Sequence, residues 1–259
     1  MTDFAGLSED LILNHAFGLV LVLARIGATL AFLPGLGETA IPAVVKAGMV
    51  LTLTILLLPI VEPAMPPRPA SEVALGLMVM TELGNGLWFG WLARVLTTSL
   101  PLAGQFIADF AGLANVLQPS PELGAQTTAI ARLYDVAVPA LILSSGLYTV
   151  LLSALVGFYR LIPPGTLAWV PDSAATTVSM VAESFNLALR LATPFILAAV
   201  AWNVAIGLIA RLVPRLQIFF VALPGQIGLG MLLLAAIASP IVGVWIEAMR
   251  TGFDSLPGG

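Results

Sequence analysis

Six apolar runs constrain this chain more than any other feature of its sequence: Leu11–Leu33, Val44–Val61, Val73–Leu102, Ala129–Leu161, Leu187–Val213 and Ile218–Met249. About 20 helical residues cover the roughly 30 Å hydrocarbon core of a bilayer. The runs are far longer than strands and show no strict alternation of apolar and polar residues, which predicts helices. A soluble domain carries about a quarter charged residues. This chain of 259 residues has 9% charged and 59% hydrophobic. The expected fold is therefore all-α, a polytopic membrane protein of about six long apolar helices.

The breaks between runs carry turn chemistry. Pro34-Gly35 ends the first, Pro63, Pro66, Pro67 and Pro69 form a stiff extended link after the second, Pro163-Pro164-Gly165 ends the fourth, and Pro214 precedes the last. The longest runs, about 27 to 33 residues, would reach roughly 40–50 Å as helix. They are expected to tilt, to kink at Pro139, Pro194, Pro224 and Pro240, or to extend beyond the bilayer against other protein. The acidic Asp3, Glu9 and Asp10 precede the first run where a signal peptide would carry Lys or Arg, so that run is expected to be retained. Lys and Arg are spread almost evenly over alternate loops, with a slight tilt toward an outside N-terminus.

Arg25, Glu82, Arg94, Asp135 and Arg190 lie inside these runs. At a bilayer centre each would cost roughly 2.5–3.5 kcal/mol on insertion scales, so such residues face protein or water and not lipid. They are candidates for polar contacts between helices. Taken as a transport site instead, Glu82, Arg94 and Asp135 would couple movement of a small solute or ion. That class often shows internal repeats, and none is visible here.

Catalysis finds little support. His15 is the single histidine, there is no cysteine, and no HExxH, GxSxG, P-loop or GxGxxG pattern occurs. His15 reads as an interfacial or helix-packing residue. No cofactor or metal is expected. The net charge of −4 and the absence of a basic stretch give no footprint for nucleic acid.

Three further segments draw attention. Gly86 and Gly90 form a GxxxG pattern, the spacing that lets two helices approach closely within a chain or between chains. Pro101–Ala129 is apolar yet rich in Gly, Pro and amide side chains, and reads as a non-helical connection. At membrane depth such backbone must lie against protein or a water-filled cavity. It either lines or blocks a conduit, or packs as a re-entrant loop. Arg211 and Arg215 flank Pro214 as the charged tip of a helical hairpin. Gln217 follows the tip, and Pro224-Gly225-Gln226 puts a second amide inside the last run.

Taken in order, these residues resemble the FliR/SctT family, the R component of the export gate in flagellar and injectisome type III secretion. The likeness rests on Arg25-Ile26-Gly27-Ala28 with Pro34, Gly37, Ile41-Pro42 and Lys46-Ala47-Gly48. It continues through Glu82-Leu83-Gly84 to Gly90, Ala103-Gly104-Gln105 and the Gly112–Pro119 segment. It then takes in Ser153 with Pro163-Pro164-Gly165, and Ala192-Thr193-Pro194, Asn203, Gly207-Leu208, Arg211, Pro214, Phe219 and Pro224. This chain departs from the family pattern at Leu147, Arg215 and Gln118-Pro119.

The resemblance implies a P-type helical fold over residues 1–186 fused to a Q-type helical hairpin over 187–259. It implies a non-enzymatic subunit of an export gate in the bacterial inner membrane, at the flagellar basal body. Its partners would be the P-type and Q-type subunits FliP and FliQ, with FlhB near the hairpin tip, and FlhA. Unfolded export substrates would pass through the channel. Residues 106–122 would correspond to a plug that closes it, with Phe106, Phe110, Gly112, Leu113, Asn115, Leu117, Gln118 and Pro119 as plug residues. Arg25, Glu82, Gly86, Gly90, Arg94, Asp135, Arg190, Arg211, Arg215 and Gln226 would then be assembly contacts.

Overall fold

A computed structural model describes residues 2–38, 41–114, 127–168, 170–212 and 219–259. The helices are α1 (Thr2–Phe32), α2 (Ala43–Val61), α3 (Glu72–Thr97), α4 (Ser99–Phe110), α5 (Ala129–Ser144), α6 (Leu147–Leu161), α7 (Val170–Leu212) and α8 (Phe219–Asp254), with a 3-10 turn at Glu62–Ala64. Among the described residues there is no strand. Five helical stretches are long and apolar enough to cross a membrane, or six when the α5–α6 pair is one broken span. This is the all-α polytopic fold that the apolar runs predict.

Three details depart from the sequence reading. The fourth run is broken, with α5 and α6 meeting at a bend of 77°. Pro139 lies inside α5, and the bend falls instead at Gly146, in the left-handed region at φ 77°. Only glycine enters that region without steric cost. The fifth run starts well before Leu187: α7 begins at Val170. Pro101–Phe110 is helix and not a connection, because Pro101 falls in the first turn of α4, where a missing N–H is tolerated. The same proline has no N–H to give the Thr97 carbonyl, at the last residue of α3.

The described residues form two compact units, neither continuous in sequence. The first comprises Met1–Val95, Ile142–Met180 and Arg250–Gly259. Its core is a stripe of α1 (Phe17, Leu21, Val22, Ile26) with Phe89 and Leu92 of α3 and Leu151, Leu155 and Phe158 of α6. Phe89 and Phe158 stack with ring centroids 5.1 Å apart. Leu21, Arg25, Ala28 and Thr29 of α1 are buried at helical spacing, and this stripe faces its neighbours. Of the four prolines after α2, Pro63 lies in the 3-10 turn, unlike the extended link expected, and Pro66, Pro67 and Pro69 lie in residues without regular structure.

The second unit comprises Leu96–Leu141 and Val181–Met249. Here α4 is the central element. A Cβ on Gly104 would lie 2.9 Å from Ala131 Cα and 2.8 Å from the Tyr134 ring, so α4 and α5 are in direct backbone contact. Phe106 meets Phe185 of α7 edge to face at 5.8 Å. Trp245 of α8 is fully buried, and its indole N–H donates to Ser99 Oγ at 3.0 Å. Ser99 in turn donates to the Leu96 carbonyl at 2.6 Å.

Candidate functional site

The first unit holds a desolvated ion pair. Arg25 Nε donates to Glu82 Oε2 at 2.6 Å and Nη2 donates to Oε1 at 3.0 Å, with both side chains fully buried. This is the two-pronged guanidinium–carboxylate geometry, stronger and more directional than a point-charge contact. The remaining guanidinium donor Nη1 reaches the Ile162 carbonyl at 2.8 Å. The guanidinium carbon lies 4.4 Å from the Tyr159 ring centroid and 5.2 Å from that of Phe158. Glu82 Oε1 also accepts the Gly165 N–H at 2.6 Å. Every strong group of the pair therefore has a partner, the condition under which two charges can stay buried.

Asn85 extends the arrangement by one turn of α3. Its amide N–H donates to the Thr166 carbonyl at 2.7 Å, and its carbonyl accepts the Ala168 N–H at 3.1 Å. Glu82 and Asn85 thus hold the Pro163–Ala168 segment by its backbone, which fixes the exit of α6. The next positions on the same face of α3 are Gly86 and Gly90. A Cβ at Gly86 would collide with the Arg25 carbonyl, and one at Gly90 would lie 2.5 Å from the Thr29 carbonyl. Two glycines let α3 lie close enough to α1 for Glu82 to reach Arg25.

Arg94, a turn further, donates toward the Phe32 carbonyl at 3.5 Å, near the end of α1, and lies 3.5 Å from Glu38. A cation there suits the negative end of the helix dipole. Lys46 donates to the Gly37 carbonyl at 3.0 Å and ties the α1–α2 turn. His15 pairs with Glu62 at 3.1 Å with both side chains about half exposed (50% and 52%), which fits an interfacial residue.

In the second unit, the end of α4 is capped twice. Gly112 is left-handed at φ 72°, the Leu113 N–H donates to the Ala108 carbonyl at 2.8 Å, and the Gly112 N–H donates to the Asp109 carbonyl at 3.3 Å. This crossed pair closes a helix on a left-handed glycine. Gln226 of α8 then donates its amide N–H to the Phe110 carbonyl at 3.0 Å. At the other end of the connection, Thr128 caps α5 through the Ala131 N–H at 3.3 Å, and Gln105 Oε1 accepts the Thr128 N–H at 3.2 Å.

The expected site residues are therefore distributed unevenly. Arg25, Glu82, Gly86 and Gly90 come together, and their contacts are within the chain. Phe106 and Phe110 belong to α4, Gly112 and Leu113 form its cap, and Asn115, Leu117, Gln118 and Pro119 lie outside the described residues, as does Arg215. Asp135 is exposed and pairs with Arg132 one turn away at 3.3 Å. Arg190 and Arg211 are exposed on α7. Sequence reasoning missed Asn85, Tyr159 and Trp245. Asn85 was findable, since it is a polar residue one helical turn from Glu82 inside an apolar run. Among the described residues no group of three or more His, Asp or Glu could hold a metal ion.

Long apolar helices locked around a buried ion pair place the chain among polytopic α-helical membrane proteins. Residues 16–252 match the family described as "Bacterial export proteins, family 1", and the chain belongs to that family. It is similar to the flagellar biosynthetic protein FliR of Caulobacter vibrioides, 35% identical over 90% of this chain and 93% of that protein. FliR of Bacillus subtilis is 27% identical over 86% of each chain. The Yop proteins translocation protein T of Yersinia pestis is 26% identical over 95% of each.

Proposed function

We propose that this chain is the R subunit of a flagellar type III export gate in the bacterial inner membrane. With the P-type and Q-type subunits FliP and FliQ it forms the channel through which unfolded substrates leave the cytoplasm. FlhB lies near the hairpin tip of α7 and α8, and FlhA is a further partner at the basal body. Residues 1–186 act as the P-like portion and 187–259 as the Q-like hairpin. Residues 106–122 help to plug the channel. The role is structural, in assembly and conduction, with no catalytic step.

The observation that carries this reading, beside family membership, is the length of uncovered apolar surface on α7. Val181, Phe185, Leu197, Val200, Val204, Leu208 and Leu212 are exposed along α7. That stretch is roughly 48 Å of helix, against a hydrocarbon core of about 30 Å. An upright helix of that length outruns one bilayer, and the exposed charges of Glu183 and Arg190 on the same stretch are poorly suited to lipid. Cover by neighbouring subunits resolves both. Arg190, Arg211 and Asp135, exposed on this chain, are then its candidate assembly contacts. The transporter alternative needs Glu82, Arg94 and Asp135 free to couple, and each already has a local partner.

Purification in mild detergent tests the assembly: a large complex with P-type and Q-type partners is expected, and a stable lone monomer would overturn it. Deletion of residues 112–118 tests the plug. The expected result is an envelope leaky to small solutes, and unchanged permeability with an assembled gate would remove that assignment.

A further inference from the structure

We infer that Gln226 is a positioning residue: it fixes the direction in which the chain leaves α4, and so ties the described start of the 106–122 segment, Phe110 and the Gly112 cap, to the last helix of the hairpin. In its bearing on export the inference rests on the plug reading above; as a statement about the α4 terminus it stands on the contacts alone.

The last-turn carbonyls of a helix have no partner within the helix. At the end of α4, Ala108 and Asp109 are served by the backbone cap at Gly112 and Leu113, while the Phe110 carbonyl receives the Gln226 side-chain N–H at 3.0 Å. The same side chain packs over the cap itself, 3.4–3.5 Å from where a Gly112 Cβ would stand. One turn further along α8, Gly230 leaves room for Ala111, whose Cβ would lie 2.5 Å from a Cβ at Gly230. Gly225, beside Gln226, is filled by the Trp202 ring of α7 at 2.7 Å. Both hairpin helices therefore set the place of Gln226, and Gln226 sets the place of Phe110.

The contact combines one hydrogen bond with close packing against the cap. A space of only about 10 Å³ remains among Phe110, Phe195, Trp202, Gln226 and Leu233. Pro224 precedes Gln226 by two residues inside α8. It removes a ladder bond there, as Pro240 does further along the same helix, and such a position is where a helix can bend. A shift of α8 at that point would carry the amide away from Phe110 and leave that carbonyl without its side-chain donor.

The absence of cysteine from the chain makes single-cysteine reporters clean. Leu113→Cys reports the cap, since Leu113 is 2% exposed, and Ile107→Cys reports the interior of α4, where Ile107 is fully buried. Each is placed in the full chain in native membranes and labelled with a maleimide, with position 226 as Gln, Glu, Met or Lys. Gln226→Glu keeps the shape and loses the donor, Gln226→Met loses both polar groups, and Gln226→Lys keeps a donor at similar reach.

The expected result is slow labelling of Leu113→Cys with Gln226 or Gln226→Lys. Labelling should be about fivefold faster with Gln226→Glu or Gln226→Met, the size of one lost hydrogen bond, while Ile107→Cys stays protected throughout. Equal labelling of Leu113→Cys in all four backgrounds overturns the inference. So does fast labelling of both reporters together, which would make Gln226 a general packing residue. Envelope permeability separates the two readings. If Gln226→Glu exposes Leu113→Cys while deletion of 112–118 causes no leak, the tether stands and the plug falls. A leak from the deletion with Leu113→Cys protected in every background does the reverse.

Discussion

Arg25 and Glu82 stand 57 positions apart in sequence, yet Arg25 Nε lies 2.6 Å from Glu82 Oε2 with neither side chain reaching solvent. The contact crosses from α1 to α3 at the point where Gly86 brings the two helices together. It also reaches α6, because the Ile162 carbonyl and the Gly165 N–H complete the two charged groups. Three helices are thus registered at one polar centre in an apolar interior.

Removing one partner should be far worse than removing both. Arg25→Met strands a buried carboxylate and Glu82→Met strands a buried guanidinium, each costing about 3–5 kcal/mol. The double variant leaves no stranded charge and should recover much of that loss. Thermal unfolding of the detergent-solubilised protein measures the cycle. Additive losses in the double variant would show that the two residues do not act as a pair.

Gly86→Ala should destabilise by about 1–3 kcal/mol, because the added methyl meets the Arg25 carbonyl, which is backbone and cannot step aside. Gly76→Ala, on the same helix with open space around it, should be neutral or stabilising by up to about 1 kcal/mol. Comparing the two melting temperatures checks the close approach directly. Equal effects would mean that α1 and α3 lie further apart.

In the second unit, Trp245→Phe removes the indole donor to Ser99 while keeping most of the buried ring. The expected loss is about 1 kcal/mol for the hydrogen bond. Trp245→Ala adds a cavity and should cost about 3–5 kcal/mol. Ser99 keeps its own bond to the Leu96 carbonyl in both. Ser99→Ala loses that bond as well and strands the buried indole N–H, so it should cost more than Trp245→Phe, about 1–3 kcal/mol. Chemical denaturation of the three variants tests the ranking.

Asp135→Asn should leave the stability of the isolated chain within about 0.5 kcal/mol, since its pair with Arg132 is on an exposed surface. If Asp135 contacts a neighbouring subunit, the same variant will instead lower recovery of the assembled complex. Measuring monomer melting and complex yield side by side separates the two. A large loss of monomer stability would contradict the exposed position.

Much of the fold was legible because a bilayer-length helix needs a long apolar run, and Pro and Gly mark where such runs stop. The break at Gly146 was not legible. Proline inside a run is a visible kink signal, whereas one glycine among several shows its left-handed conformation only when the packing demands it. The helical identity of Phe106 and Phe110 was likewise obscured by the Gly and Pro content of 101–129, although Pro101 is harmless in a first turn. Of the site, the buried charges were visible as residues that lipid would reject. Asp135 shows the limit of that logic, since a charge inside an apolar run need not be buried in the chain that carries it.

The sequence by itself determined that this chain is built of long apolar helices and that a few charges within them required partners. Periodicity and turn chemistry are local, so they are written within a helix length of the residues they govern. Only the tertiary structure decided that Arg25 belongs to Glu82, that Gly86 and Gly90 are spent inside the chain, and that Gln226 closes the end of α4. Those pairings join residues 57 and 116 positions apart. They depend on which helix faces lie together, and no local pattern specifies that.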